Sequence, residues 1–308
     1  MVLMVSLLSR ASLLLLVLPS LALSLPPPAV QPPSPFLNFA RLYPSPSCVL
    51  SLLSSSTVAV VGLGGVGSWA AEALCRCGVG ALVLVDADDV CASNANRQVM
   101  AGKGSVGRMK AEALAERLRD INPEVRVTAV LDFVTPATAG GYFAEQGAGE
   151  QPQHGGLLLA AGCVVDCVDC AEDKAALISC ALAAGVPVVT AGGAANLLDP
   201  SKIRTTDLAR ARDDPLLQWT RRRLRRDYGF AKGPGDGEPN RHRPRKWGVP
   251  AVWSEEVPAG PPPAKGGGSL RACDGRFGSA VFVTGSFGFA AAKAAIDILL
   301  ADLPPSEP

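Results

Sequence analysis

No aspartate or glutamate occurs before Glu72. Within that acid-free opening, Arg10 precedes the apolar run ASLLLLVL (11–18), and Ser, Pro and small residues follow. This is the pattern of a targeting or anchoring segment. The alternatives are an organellar transit sequence (mitochondrion or plastid), a secretory signal, a retained anchor or a misassigned gene start. In each case residues 1–35 are expected outside the fold, and any membrane contact runs through them. No repeat is present, which excludes collagen and coiled coil. Only one apolar run is long enough to span a bilayer, which excludes a polytopic membrane protein. The nine cysteines lack a secreted-framework spacing, and 308 residues are too many for a disulfide-stapled mini-protein. Lys and Arg number 29 against 28 Asp and Glu, so global charge selects no partner.

What is present is 48% apolar residues, enough for a sizeable core. Nine of the 26 prolines fall in 1–50 and eight in 231–265, so the globular part is shorter than the chain. From Thr57 apolar strands alternate with helical spacing. Strands are predicted over 57–61, 81–86, 124–131, 157–168 and 186–190, and helices over 68–77, 108–121, 174–184 and 215–226. Met109, Ala113, Leu114 and Leu118 are expected to face inward. Fully apolar strands alternating with helices predict a parallel sheet covered on both faces. Residues 144–156 read as a polar insertion and 231–270 as a Gly/Pro-rich basic loop. Residues 279–300 read as a C-terminal helix. Its Gly285, Gly288 and alanines favour close packing on the sheet over a membrane span.

The chemistry concentrates in three places. GLGGVG (62–67) follows the first strand and opens a helix, where free N–H groups and the helix dipole favour a phosphate. Asp86 ends the next strand 19 residues after Gly67, where a carboxylate accepts ribose hydroxyls. To this point NAD and ATP are equally allowed. Then come DADDVCASNANRQ (86–98) and VGRMK (106–110). Arg97 and Lys110 are cations that a triphosphate needs and a dinucleotide does not, because charge develops on the leaving pyrophosphate. Ser93, Asn94 and Asn96 add polar contacts. Asp169, after the fourth strand in VVDCVD, suits Mg²⁺ held through oxygen ligands and water. Taken singly, Arg97 reads equally as a surface ion-pair residue, Lys110 as a solvated helix cation and Asp169 as a helix cap. Their order and spacing argue for one site.

This series resembles the adenylating domain of the ubiquitin-activating-enzyme-like group, and within it the tRNA threonylcarbamoyladenosine dehydratase branch. The likeness rests on GGVGSWAAEAL (64–74), DDVCASNANRQ (88–98), INPEVRVTAVLDFVTP (121–136), TAGGAANLLDPSKIRTTDLARARDDPL (190–216) and FGSAVFVTGSFGFAA (277–291). It implies an α/β fold: a Rossmann-like, doubly wound, mostly parallel sheet with helices on both faces and a C-terminal extension. The implied organisation is a targeting or anchor segment (1–35), an ATP-binding adenylating domain (36–230), a flexible basic loop (231–270) and a C-terminal helix packed on the same domain (271–308). Gly62, Gly64, Gly65 and Gly67 would underlie the ATP phosphates, with Asp86 at the ribose. Ser93, Asn94, Asn96, Arg97 and Lys110 would meet the phosphates, and Asp169 would be the acid on the Mg²⁺ side. Arg97, Lys110 and Asp169 are the implied catalytic residues.

The implied reaction is ATP-dependent cyclisation of threonylcarbamoyladenosine beside the anticodon of ANN-decoding tRNAs, by a homodimer. Activation of a sulfur carrier or ubiquitin-like protein is the alternative, and a non-catalytic nucleotide- or RNA-binding module is a second. The family's usual N-terminal Arg is replaced by Pro35, so either the gene start is misassigned or Arg41 of RLY (41–43) takes the role. PSPSCVLSLLSSS (44–56) replaces an acidic helix, and Cys170 stands where relatives often carry Asn.

Residues 201–246 hold 14 Lys/Arg against 6 Asp/Glu. Arg221, Arg222, Arg223, Arg225 and Arg226 are expected to form a phosphate-tracking tRNA surface. The alternative is a solvated helix beside a loop. Trp219, Tyr228 and Trp247 offer rings for bases, or pack in the core. CVVDCVDC (163–170) lacks a second pair to complete a zinc site.

Overall fold

The computed structural model describes residues 34–144, 155–232, 245–257, 278–301 and 303. By its contacts the chain divides into residues 1–34 and 35–308, and every described element belongs to the second unit. The N-terminal segment up to residue 33, most of the 144–156 insertion, and 233–244 and 258–277 lie outside the described residues.

The element order is α1 (Leu37–Ala40), α2 (Pro46–Ser55), β1 (Thr57–Val61), α3 (Gly67–Arg76), β2 (Ala81–Val85), α4 (Lys110–Ile121), β3 (Arg126–Val130), β4 (Cys163–Asp166), α5 (Ala171–Ala183), β5 (Val188–Ala191), β6 (Ile203–Asp207), α6 (Pro215–Asp227), β7 (Pro250–Ser254) and α7 (Val281–Leu299). The strands form one sheet in the order β3-β2-β1-β4-β5-β7-β6. All neighbours are parallel except the β6–β7 pair.

Alternation along the strands divides the core in two, because successive side chains point to opposite faces. Val58, Val60, Leu82, Leu84, Cys163 and Val165 face one layer with Leu74, Leu114 and Phe287 of the helices. Ala59, Val61, Val83, Val85 and Val164 face the other, with Ala175, Ile178, Leu217 and Leu224. Each fully buried Leu or Val here is worth about 1.5–3 kcal/mol over an exposed one. This is the doubly wound arrangement expected.

α7 is long and apolar enough to cross a membrane, yet it packs against α3, β4, β5 and β7. A side chain at Gly288 would stand 2.6 Å from Val66 O, so only glycine permits this approach of α7 to α3.

Several expectations are corrected. The fourth strand covers only Cys163–Asp166; residues 155–160 form turns, although Leu158 is buried. A continuous apolar run does not by itself separate strand from buried coil. PSPSCVLSLLSSS still forms a helix, α2, with Pro46 in its first turn and Val49 and Leu53 turned inward. The stretch read as a flexible loop contains β7, whose Ala251 and Val252 are fully buried. Its five apolar-rich residues were masked by Pro, Gly and basic flanks. β6, an edge strand with exposed Arg204 and Thr205, escaped for want of an apolar run.

Candidate active site

β1 pairs with β2 on one side and β4 on the other, so the chain leaves it in opposite directions. Ligands of open parallel sheets sit at the carboxyl ends of the strands where the order reverses. The glycine turn lies there. Gly62 adopts φ +85°, and a Cβ on it would stand 2.8 Å from Cys167 O at the exit of β4. A Cβ on Gly67 would overlap Gly62 O, so the turn closes only with glycine at that position. A Cβ on Gly64 would meet nothing, and one on Gly65 would touch Thr284 and Arg97 Cγ. No side chain caps α3 and its first turn holds no acid. Its leading N–H groups therefore suit an anion over Gly64.

The β2 exit supplies the clasp. Asp86 is buried, and its carboxylate accepts Leu63 N at 2.6 Å and Asp88 N at 2.8 Å. Burial pushes its carboxyl above the usual range, opposed by Lys110 and these two bonds. Asp86 thus ties the glycine turn to the next loop, and a ribose would have to share oxygens already engaged. Lys110 opens α4 and is buried, with Nζ 2.7 Å from Asp88 Oδ2. Sequence reasoning missed Asp88; the DADD cluster was its signal.

The 93–97 loop is pinned from two sides. Trp69 Nε1 donates to Arg97 O at 2.9 Å, and Asn96 Nδ2 donates to Ser279 O at 2.9 Å just before α7. Asn94 is buried and its Oδ1 accepts Cys91 N at 3.0 Å, so it shapes the loop. Arg97 Nη1 donates to Ser93 O and Asn96 Oδ1. Among the described residues Arg97 makes no ion pair. Its Cγ lies beside Gly65, and its guanidinium is oriented by Ser93 O and Asn96 Oδ1 without being neutralised.

At the β4 exit, Asp166 is fully buried and its Oδ2 accepts Lys174 Nζ at 2.8 Å and Thr190 Oγ1 at 2.6 Å. Its Oδ1 accepts Val168 N at 3.1 Å, which sets the turn that brings Asp169 to the surface before α5. Asp166 and Lys174 were also missed: of the two acids in VVDCVD, only the second was singled out. Burial pushes the Cys163 and Cys167 thiols up to about 12. They are thiols at neutral pH and poor nucleophiles. Among the described residues no group of three or more His, Cys, Asp or Glu is placed to hold a metal ion.

The five arginines of α6 do not form one free surface. Arg223 pairs with Glu172 and Asp227, and Arg226 with Asp227. Arg225 lies over the Trp247 ring at 5.1 Å and Arg222 over Trp219 at 5.4 Å. Arg221 is partly buried, with Asp214 among its charged neighbours. Tyr228 and Trp247 pack against the second core layer. Arg41 is exposed at the end of α1 and bonds Asn38 Oδ1 at 3.3 Å.

The chain is similar to known proteins over most of its length. The ThiF family model matches residues 43–208. The chain is 41% identical over 275 residues to the tRNA threonylcarbamoyladenosine dehydratase of Escherichia coli, covering 86% of this chain and 93% of the relative. It is 36% identical over 267 residues to the Haemophilus influenzae protein of the same name, with the same coverage of each. The crystal structure of the E. coli dehydratase in complex with ATP superposes with a TM-score of 0.71 at 40% identity, over 86% of this chain and 93% of that one.

Proposed function

The chain belongs to the ThiF family, and we propose that it is an ATP-dependent tRNA threonylcarbamoyladenosine dehydratase that adenylates the free carboxylate of the modified base and closes it into a ring. Relatives of that name match over nearly their whole length, and one is known with ATP bound. The observation that carries the reading is Arg97. Its Cγ lies beside Gly65, its guanidinium is held by Ser93 O and Asn96, and it has no carboxylate partner among the described residues.

The glycine turn receives the phosphates on the N–H groups that open α3. The substrate carboxylate attacks the α-phosphorus, an acyl-adenylate forms, and pyrophosphate leaves. Arg97 and Lys110 are assigned to the charge that grows on that leaving group, because fixed cations there would stabilise it more than they stabilise ground-state ATP. Lys110 is already desolvated, and Asp88 holds its ammonium until a phosphate competes for it. The neighbouring carbamoyl group then attacks the activated carbonyl carbon, AMP leaves and a proton is lost. This second step needs correct placement of two groups already joined in one substrate, and no enzyme nucleophile.

Mg²⁺ is the expected counter-ion. Asp169 is exposed at the β4 exit and would hold it as a single carboxylate, with phosphate oxygens and water completing the shell, the usual habit of this ion. Bound there, it would neutralise phosphate charge.

A homodimer in which Arg41 reaches the partner's site and a mitochondrial or plastid address in residues 1–35 belong to the same proposal. The first would appear as a dimer mass in solution, the second in the destination of a C-terminally tagged chain.

The test is pyrophosphate release from ATP by the full chain. Release only with threonylcarbamoyl-modified tRNA, with the cyclic base detected by nucleoside mass spectrometry, supports the proposal. Release only with a Gly-Gly-tailed protein would replace it by carrier-protein activation. No release with either would leave a binding module.

A further inference from the structure

On α6, Leu217, Thr220 and Leu224 are buried and define the inward face. Trp219 lies away from that face and is 49% exposed. A ring half in water on a surface helix offers a flat aromatic face on which an unstacked base can lie. Arg222 lies over this ring with its guanidinium 5.4 Å from the centroid, and it makes no ion pair among the described residues. Its neighbours differ. Arg223 and Arg226 are taken up by Glu172 and Asp227. Arg225 lies on Trp247, which meets Phe230 edge-on at 5.0 Å. Arg225 Nε and Arg221 Nη1 are buried without a hydrogen-bond partner among the described residues. Among the described residues, Arg222 alone of the five arginines is exposed, unpaired in charge and already lying on an exposed ring.

From this arrangement we infer that Trp219 and Arg222 together form a stacking platform for an unpaired base of the tRNA, with the guanidinium also facing the adjoining phosphate. The inference rests on the tRNA reading above and deepens it. The chemistry selects single-stranded RNA. A helix tracking duplex phosphates needs charge and no ring, whereas an unstacked base gains by lying on an aromatic face or a guanidinium plane. An acidic protein segment would satisfy Arg222 but leave half of the indole in water. Across residues 201–232 the sequence carries 10 Lys/Arg against 4 Asp/Glu, an excess that complements the phosphates that accompany the base.

The experiment measures the affinity of the full chain for threonylcarbamoyl-modified tRNA against salt, for wild type, Trp219→Ala, Trp219→Phe and Arg222→Lys. Trp219→Ala is expected to weaken binding about tenfold or more, the scale of one lost base stack. Its slope against log salt is expected to stay that of wild type, because no charge is removed. Trp219→Phe should recover most of the loss, and Arg222→Lys should keep the slope while losing affinity. Ultraviolet cross-linking of wild-type chain to the tRNA, mapped by mass spectrometry, should find Trp219, and it needs no variant to fold. Wild-type affinity in Trp219→Ala with no cross-link at Trp219 overturns the platform and leaves the dehydratase reading standing. Equal loss toward a perfect RNA duplex overturns base stacking. Failure of the wild type to bind the tRNA overturns both.

Discussion

Lys174 Nζ lies 2.8 Å from Asp166 Oδ2, with both side chains fully buried. Thr190 Oγ1 shares the same carboxylate oxygen. The other oxygen holds the turn that leads to Asp169, so one buried cation underlies the geometry of an exposed acid. Removing one partner of a buried pair strands the other charge, at a cost of about 3–5 kcal/mol. Lys174→Met is therefore expected to lower stability on that scale in urea melts. Lys174→Met with Asp166→Asn should lose less than the two single changes added together. A Lys174→Met midpoint equal to wild type would refute this assignment.

The glycines of the turn separate folding from binding. Gly67→Ala forces a side chain onto Gly62 O and is expected to lower both the melting temperature and ATP affinity. Gly64→Ala meets no atom of the described residues within 4 Å. It should melt like wild type yet bind ATP at least about tenfold more weakly, because its methyl group occupies phosphate space. Calorimetry on the two variants checks both outcomes; undiminished ATP binding by Gly64→Ala would move the phosphates elsewhere.

Arg97 and Asp169 are not core residues, so their loss should spare the fold. Arg97→Ala and Asp169→Ala are each expected to reduce pyrophosphate release by at least about 10²-fold, the scale of one transition-state contact. A near-normal rate in either variant removes that residue from the machinery.

Asp214 caps α6 through Leu217 N at 2.8 Å and also accepts Gly193 N at 2.9 Å. Burial raises its carboxyl above the ordinary aspartate value of 3.8, against these bonds and the cations Lys174 and Arg221. The folded state therefore holds this proton more tightly than the unfolded chain does. Its contribution to stability is present at low pH and is lost as pH rises from about 3.8 through the folded value. The stability difference between wild type and Asp214→Asn should accordingly shrink or reverse in that direction. A difference constant from pH 4 to pH 7 would contradict the shift.

The strands and the glycine turn were legible because their signals are local: apolar runs, a glycine spacing, an acid at a strand end. Arg97, Lys110 and Asp169 were proposed from their order along the chain. Their partners were not. Asp88 pairs with a lysine 22 positions on, and Asp166 with one on the next helix, and spacing does not say which of two nearby acids turns inward. The α6 arginines looked alike because the acid that neutralises Arg223 belongs partly to α5, as Glu172. β7 was hidden by its flanks, although the sheet is continuous only through it.

That last strand also dictates an order of events during synthesis. β6 pairs with β7 and with no other strand of the sheet, and β7 alone joins it to β5. A nascent chain that has passed Asp207 therefore carries a ribbon with nowhere to hydrogen-bond until Ser254 has left the ribosome. The β5–β7 seam is thus the last strand pairing of the sheet to become possible, before α7 covers it, and premature termination before that point would leave β5 as an open edge for another chain to join.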